Sequence, residues 1–305
     1  MTISMMVCKG CGQPIYGGYT QALGANWHPE HFTCTACGRP IGSKQFTLHE
    51  HRPYHLACYE NTVAPRCAYC NKPLIEQYMM DQWGTMYCSV HQTQYPRCAF
   101  CSRLVPPRAQ EARAETIRCT TCRSTAIEST EKAAPLFRKL IQWAGGQGLH
   151  YHNLSLTPEL CRREKLAHYL QERTSVHSYG VTMSVTHTVN GQITRSEVKG
   201  VAILWGLPSL LFQGVAIHEL GHVWLVMQEI RNLPSWAVEG FCELLSYRYY
   251  SEVKTVESLA HAKNIEQSND PTYGEGFRRI RTIAELAGGW SRLIETLQTS
   301  KRLPH

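Results

Sequence analysis

The sequence predicts an α+β chain of 305 residues: N-terminal tandem zinc-ribbon modules, then a mainly helical domain with a small β-sheet. Three observations predict it. Pairs of cysteine and histidine recur at near-constant spacing as far as residue 122. The segment VTMSVTHTV, residues 181–189, alternates apolar and polar side chains just ahead of Asn190-Gly191. The string HELGH, residues 218–222, sits inside a long apolar segment of helical character.

The zinc modules are read from spacing. Cys8 and Cys11 pair with His28 and His31, Cys34 and Cys37 with His55 and Cys58, Cys67 and Cys70 with Cys88 and His91, and Cys98 and Cys101 with Cys119 and Cys122. Each set offers four nitrogen or sulfur donors, as closed tetrahedral zinc requires, so four structural zinc ions are expected. Only Phe32 and Thr33 separate the first two sets. That fusion, with WHPEHFTCTACGRPI and PYHLACY, resembles a LIM domain over roughly residues 8–60. His31 stands where LIM domains usually have cysteine, which leaves a neutral Cys2His2 site. The third and fourth sets are LIM-like, and the fourth carries Pro106, Pro107 and an Ala/Glu/Arg run in its loop. Tyr16, Tyr19, Trp27, Phe32, Phe46, Tyr54 and Trp83 are read as small-core residues of these modules.

Twelve of the 14 cysteines belong to these sets. Regular metal spacing and the absence of a secretory leader before Cys8 favour zinc thiolates over disulfides, hence a reducing, cytoplasmic setting. The formal net charge of +7 falls to about +5 once thiolates and five zinc ions are counted. The apolar stretch 201–227 contains Pro208, His218, Glu219 and His222 and is not expected to span a membrane.

In the C-terminal half, residues 131–143 read as a helix broken by Gly145-Gly146. Residues 150–175 read as a second helix starting at Thr157-Pro158-Glu159. Residues 181–204 read as a hairpin turning at Asn190-Gly191. Pro208 opens a long helix to about Glu229, and a further helix starts near Ser235. The predicted domains are a LIM domain (1–62), a LIM-like domain (63–124), a linker helix (125–149) and a zinc metallopeptidase domain (150–305).

Histidines four apart share one helix face, so His218 and His222 can converge on one ion, with Glu219 beside it as a general base. Glu239 lies 17 residues past His222 on the next helix and is the expected third ligand. The alternative is a helix-surface carboxylate. Two histidines and a glutamate leave one position open, the pattern of catalytic zinc. Glu243, one turn on, could orient a ligand histidine or be a surface residue. Cys161 and Cys242 read as buried small residues. His150, His152, His168, His177, His187 and His261 read as surface or capping residues. Arg278, Arg279 and Arg281 read as a solvated face or a contact for an acidic substrate segment.

HELGH, AVEGFCELLS and DPTYGEGFRRIR, placed after a LIM domain, resemble the plant LIM-domain peptidases that are activated by ubiquitylation and limit organ growth. The resemblance implies a gluzincin-type zinc endopeptidase acting on selected regulatory proteins, with ubiquitin or ubiquitylated proteins as partners. The plant proteins carry N-terminal ubiquitin-interacting helices that do not precede the first zinc set here, which suggests a compact, bacterial-type relative. YGEGF, residues 273–277, resembles the Tyr-x-x-Gly segment of gluzincin aminopeptidases; by that analogy Tyr273 donates to the oxyanion, the alternative being a packed tyrosine at a helix start. The expected function is therefore a zinc endopeptidase whose LIM modules recruit substrate or partner. A LIM-type scaffold with a vestigial peptidase domain is the competing reading. Nucleic acid is not an expected partner, because the zinc helices lack basic clusters.

Overall fold

The computed structural model describes residues 6–42, 45–75, 77–110, 116–152, 155–170, 178–189 and 192–304. The chain divides into two compact units, Met1–Pro96 and Arg97–His305.

The first unit is built on short antiparallel hairpins: β1 (Thr20–Ala22) with β2 (Ala25–Trp27), β3 (Phe46–His49) with β4 (Arg52–His55), and β5 (Tyr78–Met80) with β6 (Met86–Cys88). Two short helices, α1 (Leu56–Thr62) and α2 (His91–Gln94), follow the second and third hairpins. Each hairpin brings the second ligand pair back to a Cys-x2-Cys turn. These turns share one local rule: the residue four past the first cysteine donates its N–H to that cysteine's carbonyl and takes a positive φ. It is Gly12, Gly38 or Asn71 here, and Ser102 in the second unit. Glycine is the natural occupant of that region, and Asn tolerates it.

Phe32, Ile41 and Tyr54 are buried in the LIM core, with Trp27 and Phe46 packed on it. Tyr16 and Tyr19 are exposed instead, so neither belongs to a core. With so few apolar side chains, metal binding must supply much of the folding free energy of such modules, on the order of 10 kcal/mol per structural zinc.

The second unit begins with the fourth cysteine set, a 3-10 turn at Pro107–Ala109 and a short helix, α3 (Thr120–Ser124). The chain division thus falls at 96/97, inside the segment assigned above to a LIM-like domain. The Ala/Glu/Arg run lies largely outside the described residues. Helix α4 (Thr130–Gly146) is no free linker: Ala133, Phe137, Leu140 and Ala144 are buried in the main core, and Gly145 and Gly146 form its last turn rather than breaking it.

The helix expected over 150–175 is replaced, among the described residues, by β7 (Glu159–Cys161) and α5 (Arg163–Leu170). β7 pairs in parallel with β9 (Gln192–Leu204), and β9 pairs antiparallel with β8 (Gly180–Val189), giving the order β7-β9-β8. Leu160 and Cys161 find their partners across the sheet, beside the apolar run Val201–Leu204, and that pairing overrides the local helix signal. The Asn190-Gly191 turn lies outside the described residues, and the strands pair on either side of it.

Helix α6 (Ser209–Met227) crosses the core and packs on α7 (Ser235–Val253). Its length and hydropathy match a membrane span, but more than half of its most apolar stretch is buried inside this unit. Three helices complete the fold: α8 (Val256–Glu266), α9 (Gly274–Leu286) and α10 (Trp290–Ser300). Helices α7 and α9 touch backbone to backbone, because a Cβ on Gly240 would overlap the carbonyl of Gly276 and one on Gly276 would overlap that of Trp236. Gly240→Ala should therefore force α7 and α9 apart and cost about 1–3 kcal/mol, seen as a lowered thermal midpoint; an unchanged midpoint would contradict this packing.

His261 is neither a cap nor a surface residue. It stacks on Tyr250 with centroids 5.0 Å apart, and burial pushes its pKa down to about 4. The unfolded chain takes up this proton first as pH falls from about 6.5, so stability drops between about pH 6.5 and 4, by up to about 3 kcal/mol. His261→Phe keeps the stack, and its stability measured across that range should lack this part of the acid loss.

Candidate metal centre

Helix α6 brings two imidazoles to one face. His218 Nε2 and His222 Nε2 lie 3.2 Å apart. Glu239, one turn into α7, places Oε2 3.1 Å from His218 Nε2 and 3.4 Å from His222 Nε2. Nitrogen and oxygen donors bound to tetrahedral zinc at about 2.0–2.1 Å would stand about 3.3–3.4 Å apart. The triangle fits that ion. On the far side of His218, Nδ1 meets Glu243 Oε1 at 3.2 Å, which directs Nε2 toward the other two donors.

Close helix approach makes this possible. Gly214 of α6 lies against the Tyr250 ring, and a Cβ on Gly221 would stand 2.8 Å from Cys242 Sγ. Ser246 Oγ, also on α7, donates to Gly214 O at 3.0 Å.

Burial disfavours the charge on Glu239, but His218 and His222 outweigh it and hold the carboxylate well below its usual range. Burial also opposes the His218 imidazolium, yet Glu239 and Glu243 push its pKa well up. A proton and a metal ion therefore compete for Nε2.

Cys242 is a second neighbour of the histidines. Its Sγ lies within 4.8 Å of their ligand atoms, so distance alone also groups His218, His222 and Cys242. We favour Glu239 as the third donor. It is in direct contact with both Nε2 atoms and held ionised, whereas burial and the carboxylates of Glu239, Glu219 and Glu243 push the Cys242 thiol well above its ordinary range. Cys242 is fully buried and packs on Gly221.

Glu219 is buried at 4% exposure, and its Oε2 accepts a hydrogen bond from Thr182 Oγ1 at 2.7 Å. Sequence reasoning missed Thr182. The alternation of residues 181–189 put it on a strand, but nothing local indicated which helix that strand faces. Tyr273 caps α9, with its ring centroid 6.1 Å from that of His218. Although Tyr273 is 40% exposed, partial desolvation and the carboxylates of Glu239, Glu219, Glu243 and Asp270 raise its phenol well above the ordinary range, so it stays protonated. The basic cluster is already engaged: Arg278 donates to Ser268 O and Glu275, Arg281 pairs with Glu266 and Glu285, and Arg279 lies 3.7 Å over the Trp236 ring.

The four N-terminal sets have matching geometry. Sulfur–nitrogen separations are 3.5 Å for Cys8–His31, 3.4 Å for Cys11–His28 and 3.5 Å for Cys37–His55. Sulfur–sulfur separations are 3.7 Å for Cys70–Cys88 and 3.6 Å for Cys101–Cys119. Tetrahedral zinc with sulfur at about 2.3 Å and nitrogen at about 2.0–2.1 Å implies about 3.5 Å and about 3.7 Å respectively. Cys34 and Cys58 complete the second set, Cys67 the third, and Cys98 and Cys122 the fourth. In the third set His91 is buried and stacked on Tyr95, and neither ring nitrogen has a hydrogen-bond partner; a metal ion would account for one of the two. Burial opposes the Cys8 thiolate, but the N–H groups of His28 and Cys11 outweigh it and bring the thiol down to about 5.

These features define a LIM domain followed by a DA1-like region. A LIM-domain family model matches residues 8–63, and the DA1-like family model, described as Protein DA1, matches residues 143–264. The chain is 26% identical to Protein DA1 of Arabidopsis thaliana, over 98% of this chain and 68% of that protein. It is 30% identical to LIM domain-containing protein HDR3 of Oryza sativa subsp. japonica, over 79% of this chain and 55% of that protein. Protein DA1-related 1 of Arabidopsis thaliana is 26% identical over 99% of this chain and 66% of its own length. The resemblance to the plant LIM-domain family read from HELGH, AVEGFCELLS and DPTYGEGFRRIR thus holds for most of the chain, which spans between about half and two thirds of these relatives.

Glu243→Ala should weaken zinc binding at the histidine pair by about 10–100-fold, because Nδ1 of His218 loses its acceptor. Titration with a graded series of chelators checks this, with the thiolate sites as internal reference; unchanged affinity would remove Glu243 from the site.

Proposed function

We propose that this chain is a zinc-dependent endopeptidase of gluzincin type, acting on selected proteins. The observation that carries the reading is the triangle of His218, His222 and Glu239 donors, 3.1–3.4 Å on a side, with the Glu219 carboxylate buried beside it. Zinc held there would supply Lewis acidity toward water and a scissile carbonyl.

The residues divide the remaining work. Glu219 takes the proton of the attacking water on its carboxylate and returns it to the leaving amine. It is one residue along the helix from His218, so it lies beside the face that carries the two histidines and not on it. Glu243 holds the Nδ1 proton of His218 and keeps Nε2 free to ligate. Tyr273, still protonated at neutral pH, donates its phenol to the developing oxyanion. The LIM modules recruit a substrate or partner protein. A link to ubiquitin rests on the resemblance to the plant family, and the zinc thiolates suit a reducing, cytoplasmic setting. Neither nucleic acid nor a membrane is part of this reading.

The test is Glu219→Gln. The variant should keep its zinc complement by native mass spectrometry and lose cleavage of a casein probe by at least 100-fold. Cleavage equal to wild type would remove Glu219 as the base, and a zinc-loaded wild type that leaves casein intact would speak against a general endopeptidase.

A further inference from the structure

Glu219 sits next to two metal-binding histidines on one helix, and a carboxylate is itself a good zinc ligand. An untethered glutamate in that place could close on the ion and fill the position that water needs. Something must hold it as a base.

Strand β8 supplies the constraint. Thr182 Oγ1 donates to Glu219 Oε2 at 2.7 Å and also lies 3.1 Å from the Glu219 carbonyl oxygen. Two residues earlier, on the same side of the strand, Gly180 leaves room for the other carboxylate oxygen: a Cβ there would stand 2.7 Å from Glu219 Oε1. The strand start is itself fixed, since Ser178 Oγ donates to Gly180 O at 2.8 Å and Leu204 N–H to Tyr179 O at 2.8 Å. A β-branched threonine has few rotamers, so its hydroxyl is aimed once the strand is set. Both carboxylate oxygens therefore face β8, one tied by a hydroxyl and the other fitted over a residue with no side chain.

We propose that Thr182 is a positioning residue that holds Glu219 off the metal, with Gly180 providing the space in which the carboxylate rests. Its catalytic consequence rests on the peptidase reading above, but its structural consequence can be read without turnover.

The experiment replaces zinc by cobalt at the histidine site of the full chain, with the thiolate sites still holding zinc as verified by native mass spectrometry. Visible spectra at one fixed pH are compared for wild type, Thr182→Val and Thr182→Ser, beside crystal structures of the zinc-loaded proteins. Wild type and Thr182→Ser should share the strong band of four-coordinate cobalt. In Thr182→Val the band should stay strong but change position as the freed carboxylate takes the place of water on the ion, with Glu219 displaced toward the metal in the crystal. On casein, kcat should fall at least tenfold at unchanged KM in the valine variant and recover in the serine variant. If valine disturbs packing, Thr182→Ala gives the same comparison. A valine or alanine variant whose spectrum and Glu219 position match wild type overturns the inference and leaves the zinc reading standing. A wild type that takes no cobalt at the histidines overturns both.

Discussion

The site depends on how closely α6 and α7 approach. A histidine pair on one helix can hold an ion only loosely; the third donor must come from outside, at a distance fixed to a few tenths of an ångström. Glycines set that distance. Gly214 and Gly221 lie seven residues apart on the α6 face that meets α7, so Tyr250 and Cys242 seat directly on the helix backbone. On its other side α7 rests on α9 through Gly240 and Gly276. Glu239 and Gly240 are sequence neighbours, so the contact that seats α7 on α9 also sets the carboxylate that meets the two histidines. The cost of these glycines to helix propensity is about 1 kcal/mol each, and burial of the surrounding apolar faces offsets it.

A second support reaches the same helix from the fourth cysteine set. All four of its cysteines are buried. Beside them Arg118 donates to Glu128 at 2.7 Å and to the carbonyl of Gly206 at 3.3 Å. The chain from Thr125 to Ile127 pairs with Gly206–Ser209 through Ile127 N–H to Leu207 O, Gly206 N–H to Ile127 O and Ser209 N–H to Thr125 O. Leu207 and Pro208 lead directly into α6. Phe100, between two of the cysteines, packs on Tyr179, which precedes Gly180. The fourth module therefore belongs to the fold that carries the histidines, whereas the first three sets lie in the N-terminal unit.

Much of this was legible in the sequence because the signals were local. Ligand spacing in the zinc sets follows from turns of fixed length, and a histidine pair four apart on an apolar helix follows from helical periodicity. The meeting of Glu239 with the two histidines needed only two antiparallel helices and a short turn. What escaped was non-local. β7 carried a helix start signal and became a strand because the apolar edge of β9 was available to it. The facing of Thr182 and Glu219 depends on the register of β8 against β9 and on how that sheet lies over α6. Helix α4 read as a linker because its flanking glycines resemble breakers, yet its apolar face is core. The stacking of His261 on Tyr250 joins α8 to α7, and no spacing in either segment announces it.

The proposed function requires one divalent cation between His218, His222 and Glu239. Anomalous diffraction at the zinc edge on crystals of the full chain tests it most directly. A peak is expected within about 2.2 Å of His218 Nε2, His222 Nε2 and a Glu239 oxygen, with Cys242 Sγ outside the coordination sphere. A peak ligated by Cys242 with Glu239 turned to solvent, or none at the histidine pair while the four cysteine-rich sets are filled, would contradict it.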